Sequence, residues 1–526
     1  MRLAPVLAVG LGIGGLLAGA VPAVAKPVVP PTSSALTWGP CPGEQKELVE
    51  AGAECAHLTV PLDYSGPGGR TLRIAVSRVK AKDRAHRRGI LLSNPGGPGG
   101  AGLATTVGLR ATLKKVADQY DLIGFDPRFL GGSTPVRCDP AGTPEPPRTT
   151  TSPRLDFEDG VRRSRSTALR CARHDGNAAL LPHASSRNVA RDMDAIRAAL
   201  GERKLSYYGV SYGADLGAVY TQMFPRRADR IVVDSSTDPD ATQYELFRRA
   251  GRPLEEGLDE WAAWTARHAD TYRFGRTGPE VRATVQKLLD GAERRPVSIA
   301  GTRLGAPLLR LFLRQFVQHQ EDDAALARTV RALADAAAGH DVRPNPELAA
   351  MLDFLNSPDV ADSMTGGAVF MCGDAGWPAG GWPRDPRTYW RNMERSRGDQ
   401  PVFGPLVNDM TAPCAFWPST PREPAVRIGN DVPVLMLQAR RDNNVPYDGA
   451  LALHRKLRGS RLVTADIRSH GVFGRGAEGR TAVPCADRAV TEYLGGGALP
   501  AADVACPAPG GRREARPAGG RDGGRR

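Results

Sequence analysis

The 526-residue chain has no C-x₂-C pair and no H-E-x-x-H segment, so its eight cysteines do not read as zinc ligands and no metal is expected. No glycine-rich loop ends in Lys-Ser or Lys-Thr, and none has the early strand and downstream acid of a dinucleotide fingerprint. Nucleotide chemistry therefore has no motif to rest on, and no cofactor is expected. Aromatic residues make up only 6% of the chain and do not interleave the basic ones. The net charge of +13 thus lacks the stacking platform of a single-strand binding groove, and no nucleic-acid partner is expected. After the first 20 or so residues no apolar run approaches the length of a membrane span. There is no internal repeat.

What is present begins with a leader. Arg2 precedes the apolar run Leu3 to Ala20, and Ala23-Val24-Ala25 offers the small residues of a cleavage site. Residues 1–25 are therefore expected to be a signal peptide, removed before Lys26. The glycines of the run and Pro22 disfavour a permanent membrane helix, and the lack of a cysteine near the cut disfavours a lipoprotein. A secreted protein with an even cysteine count is expected to form disulfides. Sequence alone does not determine their pairing; the shortest-loop arrangement joins Cys41 to Cys55, Cys138 to Cys171, Cys372 to Cys414 and Cys485 to Cys506. Residues 507–526 hold six arginines against Glu514 and Asp522 and are rich in Gly and Pro. Such a tail is expected to be disordered, with acidic cell-wall or membrane surfaces as the partners its charge would suit.

The chemistry centres on Leu205-Ser-Tyr-Tyr-Gly-Val-Ser-Tyr-Gly213. A β-prone run leads into G-x-S-x-G, and a helical spacing (Leu216, Val219, Tyr220, Met223) follows. That context makes Ser211 a candidate nucleophile on a sharp strand-to-helix turn. Such a serine needs an acid and then a histidine on loops after later strands. The buried-strand run Pro433 to Gln438 is followed by Asp442, and the run Arg461 to Ile467 by His470. His454 lies in an amphipathic helical segment and reads as an ordinary surface histidine. Ile90 to Ser93 reads as a strand, and the loop Asn94-Pro-Gly-Gly-Pro-Gly-Gly-Ala-Gly102 after it is built to bring backbone N–H groups to a developing oxyanion. Gly97 is the first choice there and Gly96 the second, with Tyr212 N–H as the other donor.

With these segments in view, the chain resembles the secreted bacterial prolyl and tripeptidyl aminopeptidases, serine peptidases of the α/β-hydrolase fold. The resemblance runs through CAHLTVPLDY, NPGGPGGAG, YDLIGFDPR, ARDMDAIRAALGERKLSYYGVSYG, the Asp442 loop, SHGVFG and YLGGGALPAADVAC. It implies that Ser211, Asp442 and His470 form the catalytic triad, that Gly97 and Tyr212 form the oxyanion hole, and that the substrates are peptides with free N-termini. The chain departs from the family pattern at Phe129-Leu130, Ala214-Asp215 and Ser469. Asp215 is read first as a structural helix carboxylate with Arg128 as a candidate partner, and alternatively as a charge that alters the site's electrostatics.

The expected fold class is α/β: a mostly parallel sheet with a large, mainly helical cap inserted before the last strands. Residues 37–238 would form the first part of the core, 239–427 the cap and 428–506 the second part. Residues 140 to 155 read as an exposed Pro/Thr-rich loop. An exopeptidase must hold the substrate ammonium, and Asp374 and Glu245 in the cap are the candidates. A monomer that releases tripeptides or single residues is expected. A carboxylic-ester hydrolase with the same triad, or a binding protein that kept only the fold, are the alternatives.

Overall fold

The computed structural model describes residues 36 to 508, apart from 139–151, 175, 242, 356–358, 375–381, 410–411 and 420–421. The expected signal peptide, nearly all of the basic tail and most of the Pro/Thr-rich loop lie outside the described residues. Twelve strands follow in chain order: β1 (Gly39–Pro40), β2 (Glu54–Pro61), β3 (Thr71–Val79), β4 (Ile90–Asn94), β5 (Asp121–Phe125), β6 (Leu205–Val210), β7 (Ala228–Asp234), β8 (Val297–Ile299), β9 (Thr302–Leu304), β10 (Val434–Ala439), β11 (Ser460–Ala465) and β12 (Val504–Cys506). Ten of them form one sheet in the order β1-β2-β3-β5-β4-β6-β7-β10-β11-β12. The pairings from β1 to β5 are antiparallel, and those from β5 onward are parallel.

The parallel strands read as unbroken apolar runs because helices cover both faces of the sheet. Ile90 and Leu92 of β4 and Val434 and Met436 of β10 pack into one core. Leu91, Leu435 and Leu437 between them pack into the other. A one-residue slip of any central strand would exchange the two sets, so burial on both sides pins the register. The disulfides join Cys41 to Cys55, Cys138 to Cys171, Cys372 to Cys414 and Cys485 to Cys506.

Between β7 and β10 the chain leaves the sheet and forms a largely helical insertion. Helices Gln243–Arg267, Gly278–Arg294, Ala306–Val317 and Asp323–Ala337 share a core of their own built on Leu254, Trp261, Val285, Phe312 and Leu326. The apolar spacing of three and four marked these helices in the sequence. It did not mark the hairpin of β8 and β9. That hairpin turns through Ala300 (φ 47°) and Gly301 (φ 75°). Two positive φ values make a tight hairpin turn, but Ala-Gly lacks the asparagine or aspartate that normally signals it.

Arg128 does not meet Asp215. It is fully buried and grips Asp192 with two hydrogen bonds, 2.8 Å from Nε and 2.7 Å from Nη2. Nη1 adds a bond of 3.1 Å to the Leu62 carbonyl, and Tyr64 Oη donates to Asp192 at 2.8 Å. The planar guanidinium finds a matching carboxylate on the helix Ser186–Ala199, so none of its fork is left for Asp215.

Candidate active site

Ser211 sits directly after β6 with φ 58° and ψ −125°, and the helix Tyr212–Met223 begins at the next residue. A left-handed serine costs of order 1–3 kcal/mol and persists only where its surroundings enforce it. Here the backbone on either side is held at contact distance. A Cβ on Gly213 would lie 2.5 Å from the Asn94 carbonyl, and one on Gly96 would lie 2.4 Å from the Val210 carbonyl. The glycine-rich loop after β4 is thereby pressed against the Ser211 turn, and Gly97 and Tyr212 line one cleft together with Ser211.

The two partners come from the next strands along the sheet. Asp442 lies just after β10 and is buried. Its Oδ1 accepts the N–H groups of Asn444 (3.0 Å) and Val445 (2.9 Å). Its Oδ2 lies 3.0 Å from His470 Nδ1 and 3.4 Å from Gln438 Nε2. Burial by itself would lower the His470 pKa, but the Asp442 charge and hydrogen bond outweigh it and hold the imidazole above its usual 6.5. Ser211 Oγ makes no hydrogen bond within 3.5 Å among the described residues, and contacts of this kind are often loose before substrate binds.

Asp234, at the end of β7, ties the two halves together. Its carbonyl accepts Ser211 N–H at 2.9 Å. Its carboxylate accepts the N–H groups of Val472 and Phe473, each at 2.9 Å, two and three residues after His470. Ser235 Oγ accepts Gly471 N–H at 2.8 Å. Burial raises the Asp234 pKa to about 6 against the pull of those two N–H donors. In the sequence Ile231-Val-Val-Asp234 is no more than a strand-like run ending in aspartate; these partners lie far along the chain and leave no local pattern.

Ser469, the departure beside His470, is also engaged. Its Oγ donates to the Gly471 carbonyl at 2.8 Å and lies 3.0 Å from His319 Nδ1 of the cap. Burial, then the charges of Arg480 and Arg475, depress His319 to about 2, so it stays neutral. His454 bonds Ser460 Oγ (2.6 Å) and Asp503 (3.1 Å), away from the cleft.

Neither of the carboxylates expected to hold the substrate ammonium is among the described residues that line the cleft around Ser211. The cap helix Gln243–Arg267 presents Gln243, Leu246, Phe247 and Ala250 to the cleft. That spacing turns Glu245 to the exposed side. Asp374 is buried and accepts Ser186 N–H at 2.9 Å, with Ser186 Oγ in turn 3.0 Å from Tyr212 Oη. Among the described residues the carboxylate that lines the cleft is Asp215, whose Oδ1 accepts Thr237 N–H (3.2 Å) and Oγ1–H (2.8 Å). Arg314, from the cap helix Ala306–Val317, lines another part and bonds Asn444 Oδ1.

Two family models match stretches of this chain. A family model described as "alpha/beta hydrolase fold" matches residues 89–277, and one described as "TAP-like protein" matches residues 400–506. The tripeptidyl aminopeptidase of Streptomyces coelicolor is 37% identical over 468 residues, covering 86% of this chain and 83% of the relative. The serine protease Hip1 of Mycobacterium tuberculosis is 28% identical over 527 residues, 94% of each chain. A Mycobacterium tuberculosis protein named carboxylesterase B is 29% identical over 543 residues, 95% of this chain and 97% of that one. Among the described residues no helix is long and apolar enough to cross a membrane.

Proposed function

The chain belongs to the tripeptidyl aminopeptidase family of α/β-hydrolase-fold serine peptidases, and on that premise we propose that it is a secreted exopeptidase removing short peptides from free N-termini. The observation that carries the mechanism is the buried Asp442–His470 contact at 3.0 Å, tied through Asp234 to the turn that bears Ser211. In this reading Ser211 Oγ attacks the scissile carbonyl while His470 Nε2 takes its proton. His470 then delivers that proton to the leaving amine, and water hydrolyses the acyl-enzyme by the same route in reverse. Asp442 fixes the imidazole tautomer with the proton on Nδ1. Gly97 and Tyr212 N–H groups receive the oxyanion. In this reading the segment 239–427 acts as the cap over the strand ends, with Gln243, Leu246, Phe247 and Arg314 lining the cleft. Four disulfides support function outside the cytoplasm.

The test is hydrolysis of chromogenic tripeptidyl amides, unblocked and N-acetylated. Ser211→Ala and His470→Ala should each lower kcat by about 10³-fold or more with the fold intact, while His454→Ala stays near wild type. The unblocked substrate should be favoured by more than about tenfold in kcat/KM, the cost of leaving a buried charged contact unmade. Equal rates on both substrates would remove the exopeptidase reading. The carboxylesterase-named relative supports a second reading, ester hydrolysis by the same residues. Acyl esters turned over faster than every peptidyl amide would favour it.

A further inference from the structure

Asp215 is the one carboxylate among the described residues lining the cleft, and the machinery proposed above does not use it. It lies in the first turn of the helix Tyr212–Met223, four residues after the nucleophile, and lines the same cleft as Ser211. Its two hydrogen bonds among the described residues, from Thr237 N–H and Thr237 Oγ1, both fall on Oδ1. Its Oδ2 has no protein partner among the described residues, and no Lys, Arg or His pairs with it. The cleft's one guanidinium, on Arg314, is turned to Asn444 and forms no ion pair with Asp215. Leu246, Phe247, Ala250 and Val407 supply an apolar part of the wall, and its remaining polar side chains, such as Gln243 and Asn444, are uncharged apart from Arg314. Such a wall would strengthen any charge contact made within it.

We propose that Asp215 is a specificity-determining residue that receives an alkylammonium group carried by the acyl part of the substrate. Two positions could supply that group: the α-amine on the carbon next to the scissile carbonyl, or a lysine-like side chain on the same residue. Both place a cation beside an acyl group held at Ser211, in the cleft that Ser211 and Asp215 line together. Burial, and then the nearby Asp374 carboxylate against the Thr237 hydrogen bonds, leave Asp215 with a pKa of about 7. A cation seated on Oδ2 supplies the countercharge this carboxylate lacks.

The proposal rests on Ser211 as nucleophile, so its test reports on that separately. Three diphenyl phosphonates, in which Ser211 Oγ displaces phenoxide from phosphorus, serve as probes: one with an α-ammonium, one with a terminal ammonium on a butyl side chain, and one neutral isostere with an acetylated amine and a pentyl side chain. Labelling rates are read by intact mass. Wild type should label with at least one ammonium probe about tenfold or more faster than with the neutral one, and which probe it is identifies the source. Asp215→Asn keeps a carbonyl oxygen for the Thr237 bonds; it should bring the ratio near unity and leave the neutral rate within about threefold. The neutral rate also reports that the variant is folded. Absence of any cation preference in wild type, or its survival in Asp215→Asn, would overturn the assignment while leaving Ser211 in place. Failure of all three probes to modify Ser211 would overturn the nucleophile, and this proposal with it.

Discussion

Replacing Asp442 by asparagine separates an orienting role from a merely structural one, because the structure dictates how the amide must sit. Asp442 Oδ1 accepts two backbone N–H groups, from Asn444 and Val445, so the asparagine carbonyl oxygen has to occupy that position. The amide NH₂ then replaces Oδ2 and points at His470 Nδ1 and Gln438 Nε2. Oδ2 is the nearer oxygen to Nδ1, 3.0 Å against 3.2 Å for Oδ1, so the donor that replaces it drives the imidazole proton onto Nε2, the nitrogen that has to accept the serine proton. The loop geometry survives and the base is disabled. Loss of an ordinary hydrogen bond is worth about 1 kcal/mol, or roughly fivefold in rate. A wrong tautomer in a site of this kind lowers kcat by about 10³- to 10⁴-fold, or about 4 to 5 kcal/mol of transition-state stabilisation. Those ranges do not overlap. Steady-state hydrolysis of an unblocked tripeptidyl amide by Asp442→Asn, with circular dichroism to confirm folding, decides between them. A loss of tenfold or less would refute the assignment of Asp442 as the orienting acid.

Two further outcomes follow from the charges described. The neutral imidazole is the active form and Asp442 holds the His470 pKa above its ordinary 6.5, so kcat/KM should fall as pH drops through a midpoint above that value; a midpoint below 6.5 in a pH–rate series would contradict the pair. Arg128→Met leaves Asp192 with its side chain fully buried and its partner gone, which should cost about 3–5 kcal/mol in urea unfolding, and Arg128→Met/Asp192→Leu should recover most of that loss.

The parts legible in sequence were those written in local pattern. Unbroken apolar runs disclosed β4 and β10, three-and-four spacing disclosed the cap helices, and glycine placement disclosed the Ser211 turn. Asp442 and His470 could be proposed because each follows a strand, and the structure brings their side chains to 3.0 Å. What stayed hidden depended on partners distant in the chain or on helix phase. Asp234 looks like any strand-ending aspartate until Val472 and Phe473 arrive to donate to it. Asp215 and Arg128 were read as a possible pair on charge alone, whereas Asp192 claims the guanidinium. Glu245 was read without the phase of its helix, which Gln243, Leu246 and Phe247 set by facing the cleft.

The position of the helical insertion also orders events in time. β7 pairs with β6, which precedes it closely, but its other neighbour is β10, with Val434 beside Ile231 across the whole insertion. A chain leaving the ribosome therefore presents Ser211 long before Asp442 and His470 have been synthesised. Closing so large a loop is entropically slow, and non-local parallel pairing is among the slowest steps a domain makes. An incomplete chain thus holds a serine with no base, and a hydrolase assembled in this order does not act on its surroundings before its last strands are in place.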